Sequence, residues 1–149
     1  MPQSYTSLHY HLIFSTKHRA PLISPELQPR MCDYIGGLVR AEGGTLLAAG
    51  GVADHIHLLV QLGPTRAVAD VLRVVKTNSS RWVGDLSPAS GFGWQTGYAA
   101  FTVSRSQLET VEGYIGRQEE HHLRLSFQDE LRTLLRRHGI VPDERYLWG

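Results

Sequence analysis

Residues 45–62, TLLAAGGVADHIHLLVQL, decide the fold because two apolar runs follow each other with only a short gap between them. The runs at 45–52 and 55–62 have the length and composition of β-strands, and a turn is expected near Ala53–Asp54. Strands joined by so short a connection pair antiparallel. The stretch therefore predicts a hairpin whose second strand lies inside an antiparallel sheet.

The sequence on either side of the hairpin predicts one further strand and one helix in each direction. In chain order these are a strand at 7–15, a helix at 25–42, a helix at 66–84 and a strand at 97–104. Ser24 is the expected cap of the first helix. The resulting order predicts an α+β fold, a ferredoxin-like βαββαβ antiparallel sheet with helices on one face.

The C-terminal third predicts two more helices. Ser106 is the expected cap of a helix that runs to about His121, with Ile115 and Leu123 on its packed side. Residues 129–139 predict a last helix that ends at a glycine.

Composition indicates a single domain covering residues 1–149, since 42% of the residues are hydrophobic and no linker is visible. The net charge of +1 does not by itself indicate a nucleic-acid partner. The sequence predicts a cytoplasmic protein, because it has a single cysteine, Cys32, and shows neither a long apolar segment nor a signal-peptide pattern.

Two histidines open the second strand of the hairpin, and they suggest chemistry. Side chains alternate between the faces of a strand, so His55 and His57 point to one side and Ile56 to the other. We expect both imidazoles on the open face of the sheet, outside the core, where they can bind a divalent metal. The same spacing at His9 and His11 illustrates that the motif alone is weak.

A polar helix stripe supplies candidates for a third ligand and for a nucleophile. Tyr114 and Gln118 are four residues apart and share a helix face, and His122 continues the stripe. Gln118 is the expected third ligand, with His121 and His122 as rivals; a site that included one of these histidines would be richer in imidazole and could prefer zinc. A phenol beside a metal-bound phosphodiester can attack phosphorus once it loses its proton.

Several basic and aromatic side chains suit contacts with nucleic acid. Lys76 is the first candidate for phosphate binding, followed by Lys17, Arg19 and Arg81. The aromatic candidates for base stacking are Trp82, Trp94, Tyr98 and Phe101.

Taken together, these motifs resemble the single-tyrosine HUH transposases of bacterial insertion sequences and their repeat-associated relatives. The resemblance rests on DHIHLLV, YHLIFSTKHR, VLRVVKTNSSRWV, FGWQTGYAAFTVS and YIGRQEEHH. It implies a ferredoxin-like fold and cleavage of single-stranded DNA, usually beside a hairpin, with Mg²⁺ or Mn²⁺. It also implies that Tyr114 becomes linked to a 5′-phosphate, that His55, His57 and Gln118 hold the ion, and that homodimers share active sites.

Two other functions are compatible with the same residues. One is a ferredoxin-like nucleic-acid-binding module without chemistry, for which the aromatic side chains would be the stacking surface. The other is a metal-dependent phosphodiesterase that uses water and leaves Tyr114 without a role.

Overall fold

The structure, a computed structural model, describes residues 4–145 and 147. Its strands and helices are β1 (His9–Ser15), α1 (Leu27–Ala41), β2 (Thr45–Val52), β3 (His55–Gln61), α2 (Val68–Leu86), β4 (Ala99–Thr102), α3 (Leu108–Gly116), α4 (Gln118–His121) and α5 (Phe127–Arg137). No helix in this described part combines the length and the hydropathy needed to cross a bilayer.

The four strands form one antiparallel sheet in the order β2-β3-β1-β4, so β1 and β3 occupy its centre. In the register between these central strands, Ile13 lies opposite His57 and Ser15 opposite His55. The predicted ferredoxin-like α+β fold is confirmed. The hairpin is also confirmed, with its turn at residues 53–54.

One face of the sheet is covered by α1 and α2. Apolar side chains of β1 and β3 bury themselves against Met31, Ile35, Val71, Leu72 and Val75 of the two helices. Ser24 caps the chain before α1 as predicted, since its Oγ accepts a hydrogen bond of 3.1 Å from the Leu27 amide. This face contains the main hydrophobic core.

The other face is covered as well, which corrects one prediction. His55 and His57 are each 0% exposed, so the expectation of an open face outside the core is wrong. The reason is that α3 and α5 pack over this face through Ile115 and Leu131, against Leu59 and Ile13 of the strands.

Gly50 allows α3 to lie close to the sheet. A Cβ atom at this position would stand 2.5 Å from the carbonyl oxygen of Ile115, closer than real contacts allow. The backbone of β2 therefore meets the helix that carries Tyr114 without an intervening side chain.

The predicted helix at 106–121 is interrupted. Its first part begins at Leu108 without a side-chain cap, so Ser106 does not have the predicted role. Arg117 leaves the helical region with φ −106° and ψ 24°, and α4 starts at the next residue. Because the chain turns there, Leu123 is 85% exposed rather than packed.

Candidate active site

The paired imidazoles of β3 meet a carboxylate that sequence reasoning missed. Glu130 of α5 is 1% exposed, and its Oε1 lies 3.0 Å from His57 Nε2 and 3.4 Å from His55 Nε2. His122 Nε2 approaches the same oxygen at 3.1 Å. Three imidazole nitrogens therefore converge on one carboxylate oxygen.

A sequence signal for Glu130 did exist. Phe127 and Leu134, three residues before and four residues after Glu130, are buried, and so is the adjacent Leu131, so the acid lies inside the apolar stripe of α5. A carboxylate in such a position needs partners, because burying an unpaired charge is costly.

The ionisation of the centre follows from these contacts. Burial alone would raise the pKa of Glu130, but the hydrogen bonds from His122, His55 and His57 hold it well below its ordinary value. For His55, burial lowers the pKa, and the contacts with Asp54 and Glu130 outweigh it and raise the value overall. Burial lowers the pKa of His57. A buried carboxylate is thus held ionised by its imidazole partners.

The other ring nitrogen of each β3 histidine is also held. His55 Nδ1 lies 2.9 Å from Asp54 Oδ1, and His57 Nδ1 lies 2.8 Å from His11 Nε2. Burial, together with the charge of His57, lowers the pKa of His11 to about 3, so this ring is neutral. Metal-binding histidines usually have their second nitrogen fixed in this way, which leaves Nε2 for the ion.

Tyr114 lies in the same centre, within its own chain. Its hydroxyl donates a hydrogen bond to Oε2 of Glu130, and its ring centroid is 5.9 Å from that of His57. Burial and the neighbouring carboxylate raise the pKa of the phenol. Tyr114 is therefore a protonated phenol whose proton already points at an acceptor.

Gln118 and His122 complete the arrangement, whereas His121 does not. Gln118 is 2% exposed, and its Oε1 accepts hydrogen bonds of 3.1 Å from both His55 and His122. Its amide donates to Glu130 Oε2 at 3.0 Å. The ring of His121 instead packs against Tyr114, with centroids 4.6 Å apart. Of the two rival histidines, His122 is the one that reaches the centre.

The geometry of these atoms fits a metal ion. The ligand atoms of His55, His122 and Glu130 all lie within 4.8 Å of one another. Nitrogen and oxygen ligands about 2.1 Å from one ion are roughly 3.0–3.4 Å apart along a coordination edge, the spacing found around Glu130 Oε1. The sequence anticipated an uncharged ligand set, whereas the structure adds a carboxylate.

The predicted phosphate-binding residues are spread over the molecule. Arg19 lines a cavity of about 780 Å³ beside His122, and Lys17 is exposed two residues earlier. Lys76 and Arg81 belong to α2, on the far side of the sheet from Tyr114. The ammonium of Lys76 donates to the carbonyl oxygens of residues 96 and 97 at 3.2 and 2.9 Å. Contact of all four with DNA stays a prediction.

The aromatic candidates for stacking are mostly occupied within the protein. Trp82 stacks on Tyr34 with centroids 4.7 Å apart, and Trp94 donates to Ser79 Oγ at 2.9 Å. Phe101 is buried. Of the four, only Tyr98 is largely exposed, at 44%.

Comparison with known proteins identifies the family. A family profile described as "Transposase IS200 like" matches residues 4–118, more than half of the chain. The chain belongs to the IS200-like transposase family. The predicted resemblance is thereby confirmed, and membership places the chain among DNA-cleaving enzymes.

Relatives within the IS200-like family cover most of the chain. The ISDra2 transposase TnpA of Deinococcus radiodurans is 25% identical over 76% of this chain and 85% of its own length. The transposase of insertion sequence IS200 from Salmonella typhimurium is 27% identical over 74% of this chain and 76% of its own length.

Two solved structures share the IS200-like fold. A candidate transposase from Deinococcus radiodurans R1 superposes with a TM-score of 0.63 at 25% identity, covering 79% of this chain and 96% of that one. A REP-associated tyrosine transposase bound to a REP hairpin gives a TM-score of 0.60 at 15% identity, covering 82% and 73%. The IS200-like match ends at Gln118, before His122 and Glu130.

Proposed function

We propose that this protein is a metal-dependent transposase that cuts and rejoins single-stranded DNA through a covalent bond between Tyr114 and a 5′-phosphate. The observation that carries the proposal is the shared carboxylate: Glu130 contacts the Tyr114 hydroxyl through one oxygen and the imidazoles through the other. A nucleophile and a candidate metal centre thus meet at one side chain. Membership of the IS200-like family supports the same reaction.

The proposed ligands of the ion are His55, His122 and Glu130, whose ligand atoms lie within 4.8 Å of one another, and the predicted ligand His57, with Gln118 beside them. When bound, a divalent ion would polarise the scissile phosphodiester and stabilise the charge that develops on it. Imidazole ligands suit Mn²⁺ better than Mg²⁺, which prefers a shell of oxygen atoms. We therefore favour Mn²⁺ of the two predicted ions.

In the proposed step, a bond forms between Tyr114 Oη and phosphorus while the bond from phosphorus to the 3′-oxygen breaks. The phenol proton passes to Glu130 Oε2, which already accepts its hydrogen bond. The leaving 3′-oxygen takes a proton from solvent. Because the new linkage is again a phosphodiester, a 3′-hydroxyl can attack it and restore a DNA strand.

The proposed substrate is a single strand beside a hairpin, and the proposed assembly is a homodimer. The structural neighbour bound to a REP hairpin supports the hairpin. With a net charge of only +1, affinity must come from local cations, and Arg19 and Arg124 line the cavity beside His122. Sedimentation of the protein with and without hairpin DNA tests the dimer.

Tyr114→Phe is the deciding experiment. Wild-type protein incubated with labelled single-stranded hairpin DNA and Mn²⁺ should give a protein–DNA adduct stable to denaturant, whereas the variant should bind DNA and give none. Tyr98→Phe, an exposed phenol elsewhere, should behave as wild type.

Each alternative function predicts a different outcome of this experiment. Metal-dependent cleavage that survives Tyr114→Phe would identify a phosphodiesterase that uses water. Binding without any cleavage by wild-type protein would identify a nucleic-acid-binding module.

A further inference from the structure

A cavity of about 480 Å³ opens beside Tyr114, on the side away from His122. It lies between β4, α3 and α5, and we call it the Tyr114 cavity. The lining residues that matter here are Phe101, Val111, Tyr114, Leu134, Arg137 and His138. Small-molecule sites of this kind measure about 300–1,000 Å³, so the cavity can hold one nucleotide but not a duplex.

The floor of the Tyr114 cavity is apolar and aromatic. Phe101 and Leu134 are buried, and the His138 ring stacks on Phe101 with centroids 4.1 Å apart and planes inclined by 18°. The His138 ring is held in place because its Nδ1 donates to the Leu134 carbonyl at 2.8 Å. Flat rings of this type are the surfaces on which nucleobases stack.

A cation stands at the rim of the same cavity. Arg137 is exposed at the end of α5, and no carboxylate of residues 4–145 forms an ion pair with it. Arg137 and Tyr114 line the same cavity, so the guanidinium and the phenol face one space. An arginine without a carboxylate partner beside a nucleophile suits a phosphate group.

We propose that the Tyr114 cavity binds the nucleotide whose 5′-phosphate is transferred to Tyr114. Its base stacks on the exposed ring of His138, which Phe101 supports from beneath, and its phosphate lies between Arg137 and the Tyr114 hydroxyl. This inference rests on the proposed function and deepens it, because it assigns a position to the nucleotide that follows the scissile phosphate.

The first test measures binding without any reaction. Wild-type protein is titrated calorimetrically, in the presence of Mn²⁺, with deoxynucleoside 5′-monophosphates and with deoxyribose 5-phosphate. Since both probes carry the same phosphate, the difference reports the base, and we expect the nucleotides to bind at least fivefold more tightly. Arg137→Gln should weaken nucleotide binding about tenfold.

Arg136→Gln is the matched control, because Arg136 is the adjacent exposed arginine and does not line the Tyr114 cavity. This variant should bind nucleotides as wild type does. The proposal would be overturned by any one of three results: the two probes bind with equal affinity, the nucleotides do not bind, or the two arginine variants have equal effects.

The second test uses DNA. An abasic site immediately after the scissile phosphate should slow formation of the Tyr114 adduct at least fivefold, and more than an abasic site immediately before it. The opposite order would overturn the proposal. If no oligonucleotide gives an adduct, the proposed function fails, while the calorimetric titration still decides whether the cavity binds nucleotides.

Discussion

At the scale of single residues, Glu130 organises the centre. It is the common partner of two strand imidazoles, the imidazole of His122 just after α4, an amide and a phenol. In the metal-free protein, imidazole N–H groups donate hydrogen bonds to the carboxylate. A bound ion would take their place, and because the pKa of His55 is raised, we expect metal binding to release a proton from this residue.

Glu130→Gln should therefore weaken Mn²⁺ binding at least tenfold, because the side chain keeps its size and loses its charge. Isothermal titration of the purified protein with Mn²⁺ measures this. Glu109→Gln removes an exposed acid from α3 and should leave the affinity unchanged. Unaltered Mn²⁺ affinity in the Glu130 variant would remove this residue from the ligand set.

His11 is expected to set the tautomer of His57. While His57 donates its Nε2–H to Glu130, its Nδ1 must accept a hydrogen bond from His11 Nε2–H; with an ion on His57 Nε2, the direction of that 2.8 Å hydrogen bond reverses. Only a partner that can both donate and accept serves both states.

His11→Phe should thus lower Mn²⁺ affinity about 10- to 100-fold, the usual cost of losing such a supporting contact. His11→Asn, which retains a donor and an acceptor, should recover part of it. Nitrogen-15 NMR of the His57 ring should show the tautomer changed in the Phe variant only. Equal affinities of the two variants would mean that His11 merely fills space.

Local spacing predicted the residues of the centre that lie close together in sequence. Strand alternation paired His55 with His57, and helix periodicity brought Tyr114 onto the same face as Gln118. Glu130 is 73 residues from His57, and no local pattern links them. Only the packing of α5 over the sheet brings the two together.

At the scale of elements, α5 both covers the sheet and carries the carboxylate. Its first turn is fixed by Ser126, whose Oγ accepts a hydrogen bond of 3.2 Å from the Asp129 amide. Glu130 follows directly, so the cap sets the position of the acid as well as the start of the helix.

Ser126→Ala should lower the free energy of unfolding by about 1 kcal/mol, the usual contribution of an N-cap. Urea unfolding followed by circular dichroism measures it. Ser106→Ala, which removes the predicted but unused cap of α3, should change the value by less than about 0.5 kcal/mol. Similar losses in both variants would argue against a special role for Ser126.

Element boundaries were predictable where turn chemistry is local. Ser24, two residues before the N-cap position at Glu26, accepts a hydrogen bond from Leu27, the first residue of α1, and the hairpin turn falls where the apolar runs separate. The break at Arg117 was not predictable from periodicity, because the polar stripe from Tyr114 to His122 continues across it. Gly113 and Gly116 lower the helix propensity just before the break, and they were the one sequence feature that indicated a possible end of the helix there.

At the scale of the whole molecule, the two faces of the sheet bury different kinds of side chain. The face under α1 and α2 is apolar, whereas the face under α3 and α5 contains buried histidines and a carboxylate. Burying such groups makes folding depend on pH.

The metal-free protein should lose stability as the pH falls below 6.5. The pKa of His11 drops from 6.5 to about 3 on folding, so the unfolded chain binds a proton in this window that the folded chain does not. The free energy of unfolding therefore falls by about 1.4 kcal/mol for each unit that the pH decreases. Glu130, whose pKa is also depressed, adds to the loss as the pH falls below 4.5. The pKa of His55 is raised on folding, so its contribution to stability is fully present below pH 6.5 and is lost as the pH rises above that value.

Urea unfolding between pH 6.5 and pH 4 tests this dependence. His11→Phe, which has nothing to titrate at that position, should give a slope shallower than wild type by about one proton. Parallel slopes for the two proteins would mean that His11 is charged in the folded state.

The distance in sequence between the imidazoles and their acid also has a consequence during translation. The ribosome releases His57 well before Glu130, since 73 further peptide bonds must form in between. The nascent chain can pair its central strands in that interval, because N-terminal parts fold first. The proposed active centre cannot assemble until the helix at 127–137 has been made, so we expect the growing polypeptide to be inert toward nearby nucleic acid until then.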